Sequence, residues 1–158
     1  MDLVFKEAEM EDITEIREII LQAENFGEPF LDHELSLLKR YLENDFGGAF
    51  IAVHKYYRTV GYLAYEIRFR SVHIMTMITH HNHLEKGIGQ FLIQELASFL
   101  EEHHPKVSVL RVDTGDFMDY AQKFYLSCGF QVCGYVSHDF SWYNHQVHFA
   151  MRLNDNKK

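Results

Sequence analysis

At 158 residues the chain is long enough to bury a core of its own and too short to require a second one. Its formal net charge of −8 argues against a nucleic-acid partner, because phosphate backbones are bound by basic surfaces, and it attracts cationic small molecules at long range. Hydrophobic residues make up 47%, yet no apolar run reaches the roughly 20 residues of a membrane span, and Met1-Asp2-Leu3-Val4-Phe5-Lys6 lacks the basic start and apolar centre of a signal peptide, so a cytoplasmic protein with no membrane partner is expected.

Hydrophobic periodicity and turn residues set the order of elements. A strand from Leu3 to Ala8 leads into a helix over Asp12 to Glu24, with Ile13, Ile16, Ile19, Ile20 and Ala23 on one face. A second helix, Leu31 to Leu42, follows Pro29 and stops before the turn Asn44-Asp45-Phe46-Gly47-Gly48. Three strands rich in Val, Ile, Tyr and Phe come next, Ala49 to His54, Val60 to Arg70 and Ser71 to Thr79, as an antiparallel meander. The stretch Lys86-Gly87-Ile88-Gly89-Gln90-Phe91-Leu92-Ile93 then opens a helix that is apolar at Ile88, Leu92, Leu96 and Leu100 and is stopped by Pro105. Strand Val107 to Val112, helix Phe117 to Leu126 and strands Gln131 to Phe140 and Gln146 to Leu153 complete the chain. The expected fold is α+β, a single domain over residues 1–153 with a polar tail at 154–158. Its central mixed, mostly antiparallel sheet of about seven strands is flanked by four helices.

Glycines at a strand-to-helix junction let backbone N–H groups approach a ligand, and the first turn of a helix leaves such donors unpaired at the positive end of its dipole. The turn at Gly87 and Gly89 therefore suits a phosphate, although glycine also serves ordinary tight turns. Cys128 and Cys133 have neither the number nor the spacing of a disulfide framework or a zinc site. His80, His81 and His83, with His103 and His104 and with His145 and His148, raise a metal-binding reading. Adjacent histidines more often decorate a surface, and no cysteine or carboxylate stands at ligand spacing, so no metal is expected.

Lys86-Gly87-Ile88-Gly89 and Ala121-Gln122-Lys123-Phe124-Tyr125-Leu126-Ser127-Cys128-Gly129-Phe130, within this order of elements, resemble the acyl-CoA loop and the A-x-x-F-Y-x-x-x-G-F segment of the GNAT superfamily of acyl-CoA-dependent N-acetyltransferases. The resemblance covers nearly the whole chain and implies transfer of the acetyl group of acetyl-CoA directly to a primary amine of a small molecule or peptide. It also implies that strand Ser71 to Thr79 splays from its neighbour and receives the pantetheine arm. Backbone groups of Ile78 and Thr79 would face that arm, the loop Leu84, Glu85, Lys86, Gly87, Ile88, Gly89 and Gln90 would hold the pyrophosphate, and Lys86 would add a cation. Leu84 stands where the family has Gln or Arg, and Met118 where an Asn often contacts the cofactor. These departures keep open a non-catalytic acyl-CoA-binding or interaction module.

By the same resemblance Tyr125 is the acid that protonates the departing thiolate, since a phenol lends a proton without being ionised itself; the alternative is a packing residue. His73 stands where family members carry a Glu or His base. Imidazole accepts a proton near neutral pH, whereas a carboxylate needs its proton affinity raised first, so Glu66 on the preceding strand is the second choice. Simple alternation would put His73, Met75, Met77 and Thr79 on one face. The acceptor side is expected between the segment Glu24 to Glu34 and the loop Asp139 to His145. Glu24, Glu28, Asp32 and Glu34 would make it acidic and suit a cationic amine, and Phe26, Phe30, Trp142 and Tyr143 would add apolar or cation-π surface. Aromatic residues in the closing strands also suggest a homodimer.

Overall fold

The computed structural model describes residues 3–23, 28–56, 58–141 and 144–153. In chain order it contains β1 (Leu3–Glu7), α1 (Ile13–Gln22), α2 (Glu28–Glu43), β2 (Gly47–His54), β3 (Thr59–Arg68), β4 (Ser71–Thr79), α3 (Ile88–His103), β5 (Val109–Gly115), α4 (Asp119–Ser127), β6 (Gln131–Ser141) and β7 (Asn144–Arg152). The seven strands form one sheet in the order β1-β2-β3-β4-β5-β7-β6, antiparallel throughout except where β4 meets β5. Among the described residues no helix is long and apolar enough to cross a membrane.

The element order matches the sequence expectation, with shifts at the boundaries. Helix α2 starts at Glu28 and takes Pro29 into its first turn, where the missing N–H forfeits no helical bond. Strand β3 ends at Arg68 because Phe69 adopts a left-handed φ of 56° and turns the chain into β4. Strand β5 begins two residues later than expected and runs on to Gly115, which matters for the site.

Two cores lie on opposite faces of the sheet. On one face, here called the back, Ile88, Leu92, Ile93, Leu96 and Leu100 of α3 and Tyr125 of α4 pack on Leu63, Tyr65, Val72, Ile74, Leu110, Val112 and Phe149. Each such buried side chain contributes about 1.5–3 kcal/mol, so α3 is anchored along its whole length. On the front, Ile16, Ile19 and Ile20 of α1 and Leu31, Leu38 and Tyr41 of α2 pack on Ile51, Tyr62, Ala64 and Ile78.

Strand β4 changes faces part-way. Ala64 stands opposite Thr76 but Tyr65 opposite Ile74, so Met75 is an extra residue in the ladder, a β-bulge that reverses the in-out alternation beyond it. Val72 and Ile74 therefore belong to the back core and Ile78 to the front. The shared face expected from simple alternation does not exist. His73 stands beside Glu66 on the front, whereas Met77 stands beside Leu63 on the back.

Glu34 corrects a second expectation. It points inward from α2, 3% exposed, and accepts a hydrogen bond from the Tyr62 hydroxyl at 3.2 Å. Burial pushes its carboxyl above the ordinary 4.5, against the smaller opposing effect of hydrogen bonds with Thr76 and Tyr62. A carboxyl with a raised native pKa costs stability as pH climbs from its unfolded value through its native one. Glu34→Gln is accordingly expected to melt at a higher temperature than the parent at pH 8, by a margin on the order of 1 kcal/mol that disappears near pH 4. Equal melting curves at pH 8 would contradict this.

Candidate active site

The strands diverge at the middle of the sheet. Strand β4 pairs with β5 only over Ser71, Val72, His73 and Ile74, opposite Val109, Leu110, Arg111 and Val112. Above that point β5 continues with β7 alone, pairing Asp113, Thr114 and Gly115 with His148, Val147 and Gln146, while β4 continues with β3. The upper half of β4 therefore has an edge with no strand partner among the described residues. His80 donates its N–H to Val60 O at 2.9 Å, and alternation from that bond directs the backbone groups of Ile78 toward β3 and those of Met77 and Thr79 toward the opening. The Ile78 backbone groups are turned to β3, and Met77 is the next residue down whose groups face the opening.

At the top of β4 the chain forms a single 3₁₀ turn at His81–His83 and then the loop. Glu85 and Gly87 take left-handed φ values of 59° and 78°, a geometry in which nearby N–H groups converge on an anion. Gly87 caps α3 with no side chain on the free N–H groups, and a Cβ there would meet nothing within 4 Å. Gly89 differs, because a Cβ there would lie 2.9 Å from the Phe124 ring. Its smallness serves the packing of α3 against α4, while Gly87 leaves the cradle open. Ile88 is buried, and Leu84, Glu85 and Gln90 are exposed. Lys86 donates from its ammonium to Asn82 O at 2.9 Å.

Below the fork, on the front face, stands a cluster that the sequence did not reveal. Asp113 is the first residue of β5 past its pairing with β4. One of its oxygens lies 2.9 Å from His73 Nε2 and the other 2.5 Å from His148 Nδ1. Burial pushes the Asp113 carboxyl up, but the hydrogen bonds and charges of the two imidazoles together outweigh it and hold the group below its ordinary 3.8. It is therefore an anion and accepts both bonds. A neutral His73 that donates from Nε2 keeps its lone pair on Nδ1. His148 Nε2 is buried with no partner among the described residues. Glu66 is engaged elsewhere, with Arg68 Nε and Nη2 at 3.1 and 3.2 Å.

On the back of the sheet, Thr114 of β5 is 5% exposed and its hydroxyl has no partner among the described residues. Tyr125, 7% exposed, packs against Phe124, Phe130 and Phe149. Burial raises its phenol far above the ordinary 10, so the hydroxyl is un-ionised at rest and has a proton to lend. The imidazole cluster thus lies on the front of the sheet and the Tyr125 ring in the core on its back.

The other histidines do not assemble a cation site. His80 Nδ1 accepts the Asn82 N–H and His54 Nδ1 the Tyr56 N–H, each at 3.2 Å. A neutral ring bonded this way carries its proton on Nε2 and has no lone pair left for a metal. Among the described residues no group of three or more His, Cys, Asp or Glu side chains is arranged to hold one. His80 and His83 border a cavity of about 620 Å³ between α1 and the β2–β3 turn. Burial, and to a smaller extent neighbouring positive charge, pushes both of them down. Of the expected acidic wall, Asp32 is exposed and Glu34 is in the core. Glu24, Phe26, Trp142, Tyr143 and the side chain of Glu28 lie outside the described residues.

Comparison with known proteins bears on this arrangement. The family described as acetyltransferase (GNAT) matches residues 13–130, well over half of the chain. No curated protein matches significantly. Among solved structures, a protein described as a GNAT-family acetyltransferase from Desulfovibrio desulfuricans superposes with a TM-score of 0.85 at 13% identity, covering 96% of this chain and 99% of its own. The ribosomal-protein-S18-alanine N-acetyltransferase of Escherichia coli gives 0.80 at 14% identity, covering 96% and 94%. Spermidine N-acetyltransferase of Vibrio cholerae, in complex with CoA and spermine, gives 0.78 at 17% identity, covering 96% of each chain. Identities this low establish the fold.

Proposed function

The chain belongs to the GNAT acetyltransferase family, and from that premise we propose that it transfers the acetyl group of acetyl-CoA to a primary amine of a small molecule or peptide. The observation that carries the reading is the divergence of β4 and β5 above Ile74 and Val112, with proton-handling side chains on both sides of it.

The residues present fit acyl-CoA. The open edge at Met77 and Thr79 offers backbone donors and acceptors to an extended amide-bearing arm, as an added strand would be received. The buried Thr114 hydroxyl lacks a partner that such an arm can supply. The N–H groups of residues 88–90, free at the start of α3, suit a diphosphate. When bound, acetyl-CoA supplies an activated acyl thioester. His73 Nδ1 takes the proton that the amine must shed, Asp113 fixes the ring with Nε2–H toward itself and stabilises the imidazolium, and His148 shares that carboxylate. Tyr125 gives its hydroxyl proton to the sulfur on the other side of the sheet. The same reading includes a homodimer through β6, an edge strand with Val132, Tyr135 and Val136 exposed.

The test is calorimetric titration of the protein with coenzyme A and acetyl-CoA, followed by a thiol-release assay over a panel of amines. Micromolar binding and amine-dependent thiol release are expected, and a folded protein that binds neither nucleotide would end the proposal. Tyr125→Phe should bind coenzyme A as the parent does and turn over about 10- to 100-fold more slowly. Unchanged turnover would return Tyr125 to a packing role.

A further inference from the structure

Helices cover the two faces of the sheet unequally. Helices α3 and α4 lie on the back, and α1 and α2 cover β2, β3 and upper β4 on the front. The front core that α1 and α2 build contains no residue of β5 or β7. The register decides what that bare surface carries. One row across the strands reads Arg68, Ser71, Val109, Arg152, and the next reads Glu66, His73, Arg111, Ala150. Asp113 and His148 lie above them.

Three guanidinium groups thus share one uncovered face of a protein whose net charge is −8. Two described acids on that face are already engaged. Glu66 is forked by Arg68, and Asp113 holds the two imidazoles. Arg111 and Arg152 are exposed and have no acidic partner among the described residues. Arg111 is the cross-strand neighbour of His73, roughly 5 Å away between strand axes. Arg152 lies one strand and two residues further, on the order of 8 Å from Arg111.

We infer that the acceptor is the N-terminal amine of an acidic peptide, with carboxylates in its first few residues held by Arg111 and Arg152 while the amine meets His73. The inference rests on the acetyltransferase reading above. An adjacent pair of exposed arginines grips carboxylates through two-pronged hydrogen bonds and repels a polyamine. Spacing the two cations about two residues apart favours an extended chain over a single amino acid, whose one carboxylate occupies one of them. In the reaction the peptide nitrogen bonds to the acyl carbon as the carbon–sulfur bond breaks. The nitrogen's proton goes to His73 Nδ1, and coenzyme A leaves as the thiol with the proton of Tyr125.

The test uses two short fluorescent peptides with a free N-terminal alanine, one with aspartates and one with lysines at the second and third positions, and spermidine as a third probe. Binding is read by anisotropy with coenzyme A present, and acetylation by thiol release and mass. The aspartate peptide is expected to bind at least tenfold more tightly than the lysine peptide, to weaken as salt rises, and to be acetylated at its terminus. Arg111→Glu should abolish that preference or reverse it, and Arg111→Lys should restore part of it. Equal binding of the two peptides, a preference for lysine or spermidine, or an Arg111→Glu variant that still selects aspartate would overturn the inference. Failure of the acetyltransferase reading looks different, because the protein then does not bind coenzyme A at all. Peptide anisotropy still reports on the arginine face in that case.

Discussion

Replacing His73 with alanine is expected to lower turnover by about 10²- to 10⁴-fold, the range a positioned general base contributes, with coenzyme A affinity unchanged. The ring stands on the front face, away from the Gly87 loop, so cofactor binding has no reason to respond. Asp113→Asn separates two ways in which the carboxylate acts. An amide in its place carries no charge to stabilise an imidazolium, so the barrier to proton transfer rises. An amide can also donate to His73 Nε2, which turns the ring's lone pair away from the acceptor and lowers the maximum rate as well. Nitrogen NMR of the histidine rings gives a readout independent of activity, with His73 protonated on Nε2 in the parent. A His73→Ala enzyme of normal rate would shift the role of base to water or to another group.

The anion of Asp113 also links the cluster to acid stability. Its carboxyl is held below 3.8, so its contribution is complete above the unfolded value and is lost as pH falls through the native one. Over the neutral range in which His73 has to work, Asp113 does not titrate. The orienting charge is constant there.

Most of the element order was legible in the sequence because each element signals locally. Ile16, Ile19 and Ile20 mark one helical face, Leu92, Leu96 and Leu100 another, and Gly87 with Gly89 marks the junction between β4 and α3. The fork and its cluster were not legible, for a different physical reason in each case. The bulge at Met75 adds one residue to β4 without any glycine or proline to announce it, and that single residue reverses which side chains accompany His73. Asp113 and His148 meet His73 only because β5 crosses over to lie parallel to β4 and β7 returns beside β5. Alternation along Leu110, Arg111, Val112 and Asp113 does place Asp113 on the polar face, but nothing local names its cross-strand neighbours. Glu34 misleads in the opposite sense. On a helix rich in charge it reads as solvated, and the Tyr62 and Thr76 hydroxyls beneath it explain its burial.

Gly87→Glu is expected to abolish coenzyme A binding, with a loss on the order of 100-fold or more, while the protein remains folded. Two features of the position separate binding from stability. A Cβ at Gly87 meets no atom within 4 Å, so the new side chain causes no clash, and the φ of 78° costs a non-glycine residue only about 1 kcal/mol. A carboxylate at the start of α3 also interacts favourably with the helix dipole, which offsets part of that strain. The same carboxylate would occupy the space over the free N–H groups of residues 88–90, replacing the ligand's phosphate with a like charge. Gly87→Ala isolates the backbone strain, since it carries the φ penalty and no charge, and it should retain most of the affinity. Gly89→Glu differs in kind, because its Cβ is driven into Phe124 and disturbs the packing of α3 on α4. Titration of Gly87→Glu and Gly87→Ala with coenzyme A, alongside their melting curves, decides the matter. A folded Gly87→Glu protein that binds coenzyme A like the parent would remove the phosphate from this loop.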